Sequence, residues 1–229
     1  MKILSRDSLA LGGFAGIVEH RLVTDSKVFG ARKKPETFDG LGSMVYLADA
    51  RYKPFGSSGM HPHRELDVIS IIVEGRVSHE GSMEHGKNLV AGDVQVQRAG
   101  GEGFSHNELN PDNDTNRMLQ VWALPEVEGQ RASYKSYTPK LDGITRIYGG
   151  DSSQEKTFDS HTLIDIAHVT AGSDLHFQSN TLIYLISGDA QISEKANAEV
   201  LTVKEGDLIR SSELTISAIN HLHLLVVSE

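Results

Sequence analysis

The sequence predicts an all-β protein made of two copies of one β-barrel, and three observations carry that expectation. Short apolar runs recur along the whole chain, and few segments show helical period. Glycine, asparagine and aspartate punctuate them at turn positions. A pair of glycine-turn signals also returns in the same order roughly half the chain further on.

In the first half, residues 43–52 (SMVYLADARY), 67–81 (DVISIIVEGRVSHEG), 94–99 (VQVQRA) and 117–125 (RMLQVWALP) read as strands. Turns fall at 74–76 (EGR), 91–93 (AGD) and 99–103 (AGGEG), and 110–116 (NPDNDTN) is a polar loop. A looser stretch covers 126–157. Strand-like runs then resume at 161–172, 181–193, 198–211 and 214–228. Setting Gly75 against Gly188 aligns the two apolar runs without a gap, and VAGDVQVQ (90–97) then meets VKEGDLIR (203–210). The expected division is residues 1–130 and residues 131–229, each one barrel.

Composition narrows the function. With 38% hydrophobic and 23% charged residues, the chain reads as globular rather than disordered. A net charge of −9 argues against nucleic acid or an anionic membrane surface as partner. The apolar runs are too short to span a bilayer, and Arg6, Asp7, Glu19 and His20 break up the opening stretch as a signal peptide, so a cytoplasmic protein is expected. There is no cysteine, so a metal would have to be held by histidine and carboxylate; the eleven histidines become the residues to read.

His61 and His63 stand two apart in GMHPHREL (59–66), and His106 and Glu108 stand two apart in GFSHNELN (103–110). Alternate residues of a strand share a face, about 7 Å apart along the backbone, so each pair points one way. Roughly forty residues of strand and turn separate the pairs, enough to fold one opposite the other. Three imidazoles and a carboxylate suit Fe(II), Ni, Cu, Mn or Zn, with positions left for water, O2 or substrate. His79 and His85 flank a hairpin and are expected to be exposed. Tyr46 and Trp122 are expected in the core. His221 and His223 are read as surface or packing residues.

GSSGMHPHRELDVISIIVEG (56–75) resembles the first cupin motif, and GDVQVQRAGGEGFSHNELN (92–110) resembles the second. Together with LQVWALP (119–125), these segments resemble the pirin family of bicupins. The resemblance implies two stacked cupin-type barrels of the jelly-roll or double-stranded β-helix kind. It implies one metal, usually iron, held by His61, His63, His106 and Glu108 in the N-terminal half. The second half would be a degenerate cupin without metal: under the repeat alignment His176 meets His63, but Asp174 meets His61. Asp67 and Glu65 would then orient an imidazole or be solvated. The resemblance further implies an Fe(II)-dependent oxidoreductase of the quercetin 2,3-dioxygenase type, acting as a monomer on a small aromatic flavonol and O2, with Glu108 as catalytic base. A second reading is an iron-dependent regulator that docks on a transcription factor or enzyme without turnover. A third, a cupin isomerase for a phosphosugar, would have to draw its cations from Arg64 and Arg98.

Overall fold

The structure is a computed structural model and describes residues 1–83, 87–194 and 197–229. His85, expected to be exposed, lies outside the described residues. The chain forms two compact units, one of Leu9–Thr138 and one of Met1–Ser8 with Pro139–Glu229. Helix is confined to short turns; the α-helical one, Ser26–Phe29, is capped by the Asp25 carboxylate, which accepts from the Lys27 amide at 2.8 Å. Among the described residues no helix is long and apolar enough to cross a membrane.

In the unit Leu9–Thr138, a seven-stranded antiparallel sheet runs in the order Ser133–Tyr137, Val94–Arg98, Asp67–Glu74, Arg117–Ala123, Met44–Tyr52, Ile17–Thr24 and Gly12–Phe14. A four-stranded sheet runs His61–His63, Phe104–Leu109, Arg76–Gly81 and Lys87–Val90. The other unit repeats this order. Its larger sheet runs Lys2–Ser5, Asp207–Ser211, Thr181–Ser187, Leu222–Ser228, Ser160–Val169 and Gly143–Gly150. Its smaller sheet runs Asp174–Phe177, Leu214–Ala218, Asp189–Glu194 and Asn197–Lys204. Two sheets of matching order in each unit make the all-β, two-barrel architecture that the repeat predicts.

The aligned glycines explain why the repeat shows in the sequence. Gly75 and Gly188 have φ of 69° and 94°, and Gly92 and Gly206 have φ of 95° and 89°. These are left-handed conformations that a side chain rarely adopts, so both copies need glycine where the strand turns. Between turns, period-two alternation fills each interior. Ile183, Leu185, Ile192, Ile209, Ile216 and Leu224 belong to one buried apolar cluster of the C-terminal unit. Fully burying such a side chain contributes about 1.5–3 kcal/mol, which holds the sheets face to face.

The first strand shows what local pattern cannot reveal. Lys2–Ser5 pairs with Asp207–Ser211 in the register Lys2↔Arg210 to Ser5↔Asp207. Ser133–Tyr137 takes the corresponding edge in the other unit, against Val94–Arg98. Each edge strand covers backbone groups that would otherwise stand unpaired.

Candidate metal centre

His61–His63 pairs antiparallel with Phe104–Leu109, placing His106 directly opposite His61 and Phe104 opposite His63. Strand alternation turns the three imidazoles to one side. Nε2 of His106 lies 3.2 Å from Nε2 of His63 and 3.2 Å from Nε2 of His61. The three ligand nitrogens all fall within 4.8 Å of one another. Two nitrogens bound at about 2.0–2.1 Å to one ion, at tetrahedral or octahedral angles, stand about 2.9–3.4 Å apart, so the observed spacing fits a shared ion. The His61 Nδ1 proton is donated to the Gly59 carbonyl at 2.8 Å, which leaves the lone pair on Nε2 for a metal.

Burial and crowding hold the other two imidazoles neutral. Burial first, then the neighbouring imidazoles of His106 and His61, push His63 down to about 3. Burial, followed by His61 and His79, pushes His106 down to about 3. Neutral imidazoles crowded at their Nε2 ends form a site prepared for a cation.

Glu108 lines the same cavity and is 2% exposed, but it stands outside the group of three converging nitrogens. Its Oε1 accepts from the Ser70 hydroxyl at 2.7 Å and from the Gln95 amide at 2.6 Å. Its Oε2 accepts a longer bond, 3.3 Å, from the Tyr52 hydroxyl. Burial, and then the Glu108 charge, hold the Tyr52 hydroxyl well above its ordinary value, so it stays a donor.

The structure corrects three expectations. His79 is fully buried, not exposed; its ring lies 5.4 Å from that of His106, and its Nε2 is 3.0 Å from the Gln97 amide nitrogen. Asp67 is not solvated: it is fully buried against the Arg98 guanidinium, with Nε and Nη2 donating to Oδ2 at 3.0 and 2.9 Å. Tyr46 and Trp122 are not only core residues, because both line the cavity. Glu65 accepts from the Gly129 amide at 3.0 Å. The arginines that the phosphosugar reading needed do not line the cavity: Arg98 is committed to Asp67, and Arg64 is exposed.

Ser70, Gln95, Tyr52 and His79 complete the site and were missed in the sequence. One signal existed: in VQVQR (94–98) glutamines alternate with valines as a half-solvated strand would, yet Gln95 and Gln97 are both fully buried. On the corresponding strands of the C-terminal unit, Asp174 stands opposite Ser217 and His176 opposite Thr215. His223 stacks on His168 with ring centroids 4.2 Å apart.

The cavity is narrow, with about 40 Å3 of space for a water-sized sphere. Met118, Gln120 and Trp122 enter it from alternate positions of one strand, and Tyr46, Ala50 and Tyr52 from another. Trp122 stands edge-on to His63 with centroids 6.1 Å apart and stacks on Tyr46 at 4.3 Å. The wall beside the histidines is largely aromatic and apolar, and among the described residues no lysine or arginine lines it.

Two barrels, one carrying three converging histidine nitrogens beside an aromatic wall, define an all-β protein with a candidate metal centre. Comparison with known proteins bears on the family: residues 32–123, about two fifths of the chain, match the Pirin family model. Over 100 residues it is 31% identical to an Escherichia coli protein named quercetin 2,3-dioxygenase, covering 43% of this chain and 42% of that one. It is 36% identical over 95 residues to a pirin-like protein of Caulobacter vibrioides, covering 42% of this chain and 40% of that protein. The matches thus span less than half the length of these curated relatives. The crystal structure of the bacterial pirin YhhW from Escherichia coli, in complex with nickel(II), covers 99% of this chain and is itself covered to 97%, with a TM-score of 0.82 at 17% identity. At that identity the likeness shows the fold.

Proposed function

We propose that this chain is an Fe(II)-dependent oxidoreductase of the quercetin 2,3-dioxygenase type, acting on flavonols. The observation that carries the reading is the convergence of three Nε2 atoms, with neighbours at 3.2 Å, at the end of a cavity walled by Trp122 and Tyr46. His61, His63 and His106 would hold the ion, with Glu108 as a fourth ligand or as the base beside it. A redox-active ion held there supplies Lewis acidity and open positions for a substrate oxygen and O2.

This chain's own residues do the rest. Trp122 and Tyr46 offer flat faces against which a planar, mostly apolar ligand loses its water. A flavonol must shed its enolic proton to react, and Glu108 is the carboxylate of the cavity whose charge acts on His63. Oε1 is tied to Ser70 and Gln95, whereas Oε2 keeps one long bond from Tyr52, so Oε2 is the atom that takes the proton. Among the described residues no lysine or arginine lines the cavity to pair with a phosphosugar, and Trp122 and Tyr46 in its wall support an aromatic substrate. The division of labour follows: metal and base in Leu9–Thr138, and a C-terminal unit that holds no metal.

The test uses iron-loaded protein. Anaerobic addition of quercetin should shift the flavonol absorbance band, and admitting O2 should bleach it over many turnovers. Iron-loaded protein that leaves the band unmoved and unbleached would move the reading to a non-catalytic, iron-dependent binding protein.

A further inference from the structure

The cavity beside the histidines holds a buried carboxylate whose acceptor capacity is only partly filled. Glu19 lines it and is 3% exposed. A carboxylate offers about four lone-pair sites. On Glu19 the Tyr46 hydroxyl fills one at 2.9 Å and Arg21 Nε fills another at 2.7 Å. The Arg21 side chain is 42% exposed, so the charge is balanced from the solvent side. Gln120 also lines the cavity; its amide donates to the Ile69 carbonyl at 3.3 Å and the Ser70 hydroxyl at 3.4 Å, and its side-chain oxygen accepts nothing among the described residues.

The lining hydroxyls are already committed as donors. The Tyr46 hydroxyl donates to Glu19, the Tyr52 hydroxyl to Glu108, and the Ser58 hydroxyl to the Gly59 carbonyl at 3.2 Å. A buried acceptor left unfilled costs more than a satisfied one gains, so the cavity favours a ligand that brings protons. The place is also defined. From His63, ring-to-ring steps of 6.1 and 4.3 Å lead across Trp122 to Tyr46, whose hydroxyl is bonded to Glu19. A planar ligand anchored at the histidines and lying along this wall reaches that pair.

We infer that Glu19 is a specificity-determining acceptor: the cavity takes neutral aromatics carrying free hydroxyls remote from the metal-binding end, and rejects their O-methyl ethers. The inference rests on the flavonol reading above and goes beyond it by naming which flavonols bind and why. A methyl ether brings no proton for the Glu19 carboxylate to accept.

Binding can be read without turnover, because the chain's single tryptophan, Trp122, lines the cavity. Protein loaded with redox-inert Zn(II) is titrated, following Trp122 fluorescence, with a flavonol hydroxylated on its pendant phenyl ring. The titration is repeated with the same flavonol methylated at those hydroxyls; both keep the 3-hydroxy-4-keto end. A hydrogen bond to a charged group is worth about 1.5–3 kcal/mol, so the hydroxylated form should bind at least about tenfold tighter. Glu19→Gln, which supplies an N–H, should bring the ratio close to one. Tyr46→Phe opens a further site on Glu19, so the preference should persist or grow, which simple damage to packing would not produce. Should Glu19→Gln fail to fold, loss of the preference in Tyr46→Phe overturns the inference. Equal binding of both flavonols by the wild type, or an unchanged ratio in Glu19→Gln, overturns it and leaves the flavonol reading standing. Binding of neither overturns the flavonol reading together with it.

Discussion

Replacing Asp67 by alanine should destabilise the protein far more than an aspartate near a loop would suggest. The Arg98 and Asp67 side chains are 5% and 0% exposed, and Nε and Nη2 of Arg98 both donate to Oδ2. Asp67→Ala removes that carboxylate and leaves the guanidinium buried without it. Breaking a buried pair from one side costs about 3–5 kcal/mol, whereas replacing both partners with apolar residues is often neutral or stabilising. The pair also joins the ends of the two strands from which the ligand hairpins leave: Asp67 follows His63 by one short turn, and Arg98 leads into the loop before His106. Urea unfolding of the metal-free protein measures the effect. The single variant should lower the midpoint at an unchanged slope, and Asp67→Leu with Arg98→Met should recover most of the loss. A loss below about 1 kcal/mol in Asp67→Ala, or a double variant as weak as the single, would refute the reasoning.

Other outcomes follow from the same geometry. Glu108→Gln should keep the fold, because its amide oxygen at the Oε1 position can still accept from Ser70 and Gln95 and its NH2 can donate to the Tyr52 oxygen, yet turnover should fall about 10²–10⁴-fold through loss of the base; near-normal turnover would remove the role given to Oε2. Gly81→Ala should weaken metal binding, since its new Cβ would press on the Ser105 carbonyl and stand 2.9 Å from His106 Cα; unaltered affinity would show that the strand can yield. The metal-free protein should lose stability as pH falls below about 6.5. There the unfolded imidazoles take up protons that folded His63 and His106 refuse until about 3, and stability independent of pH over that window would contradict their burial.

Much of this was legible in the sequence because strands print their period directly. The pairs His61/His63 and His106/Glu108 each point to one face, and the four left-handed glycines mark both copies of the barrel. What stayed hidden depends on partners distant in sequence. Asp67 and Arg98 look like ordinary charged residues until strand pairing sets them side by side. His79 looks like hairpin polarity until the sheet closes over it, and Glu19 looks like a break in an apolar run until Tyr46 bonds to it. Lys2–Ser5 carries no local sign that its partner lies near residue 210.

The central claim is that His61, His63 and His106 hold one ion. Titration of the metal-free protein with Fe(II) under anaerobic conditions, with X-ray absorption on the product, tests it most directly. The account predicts one equivalent per chain with imidazole nitrogens at about 2.0–2.2 Å, and loss of that equivalent in His61→Ala and in His106→Ala. Absence of a stoichiometric ion, or an unchanged equivalent in both variants, would contradict it.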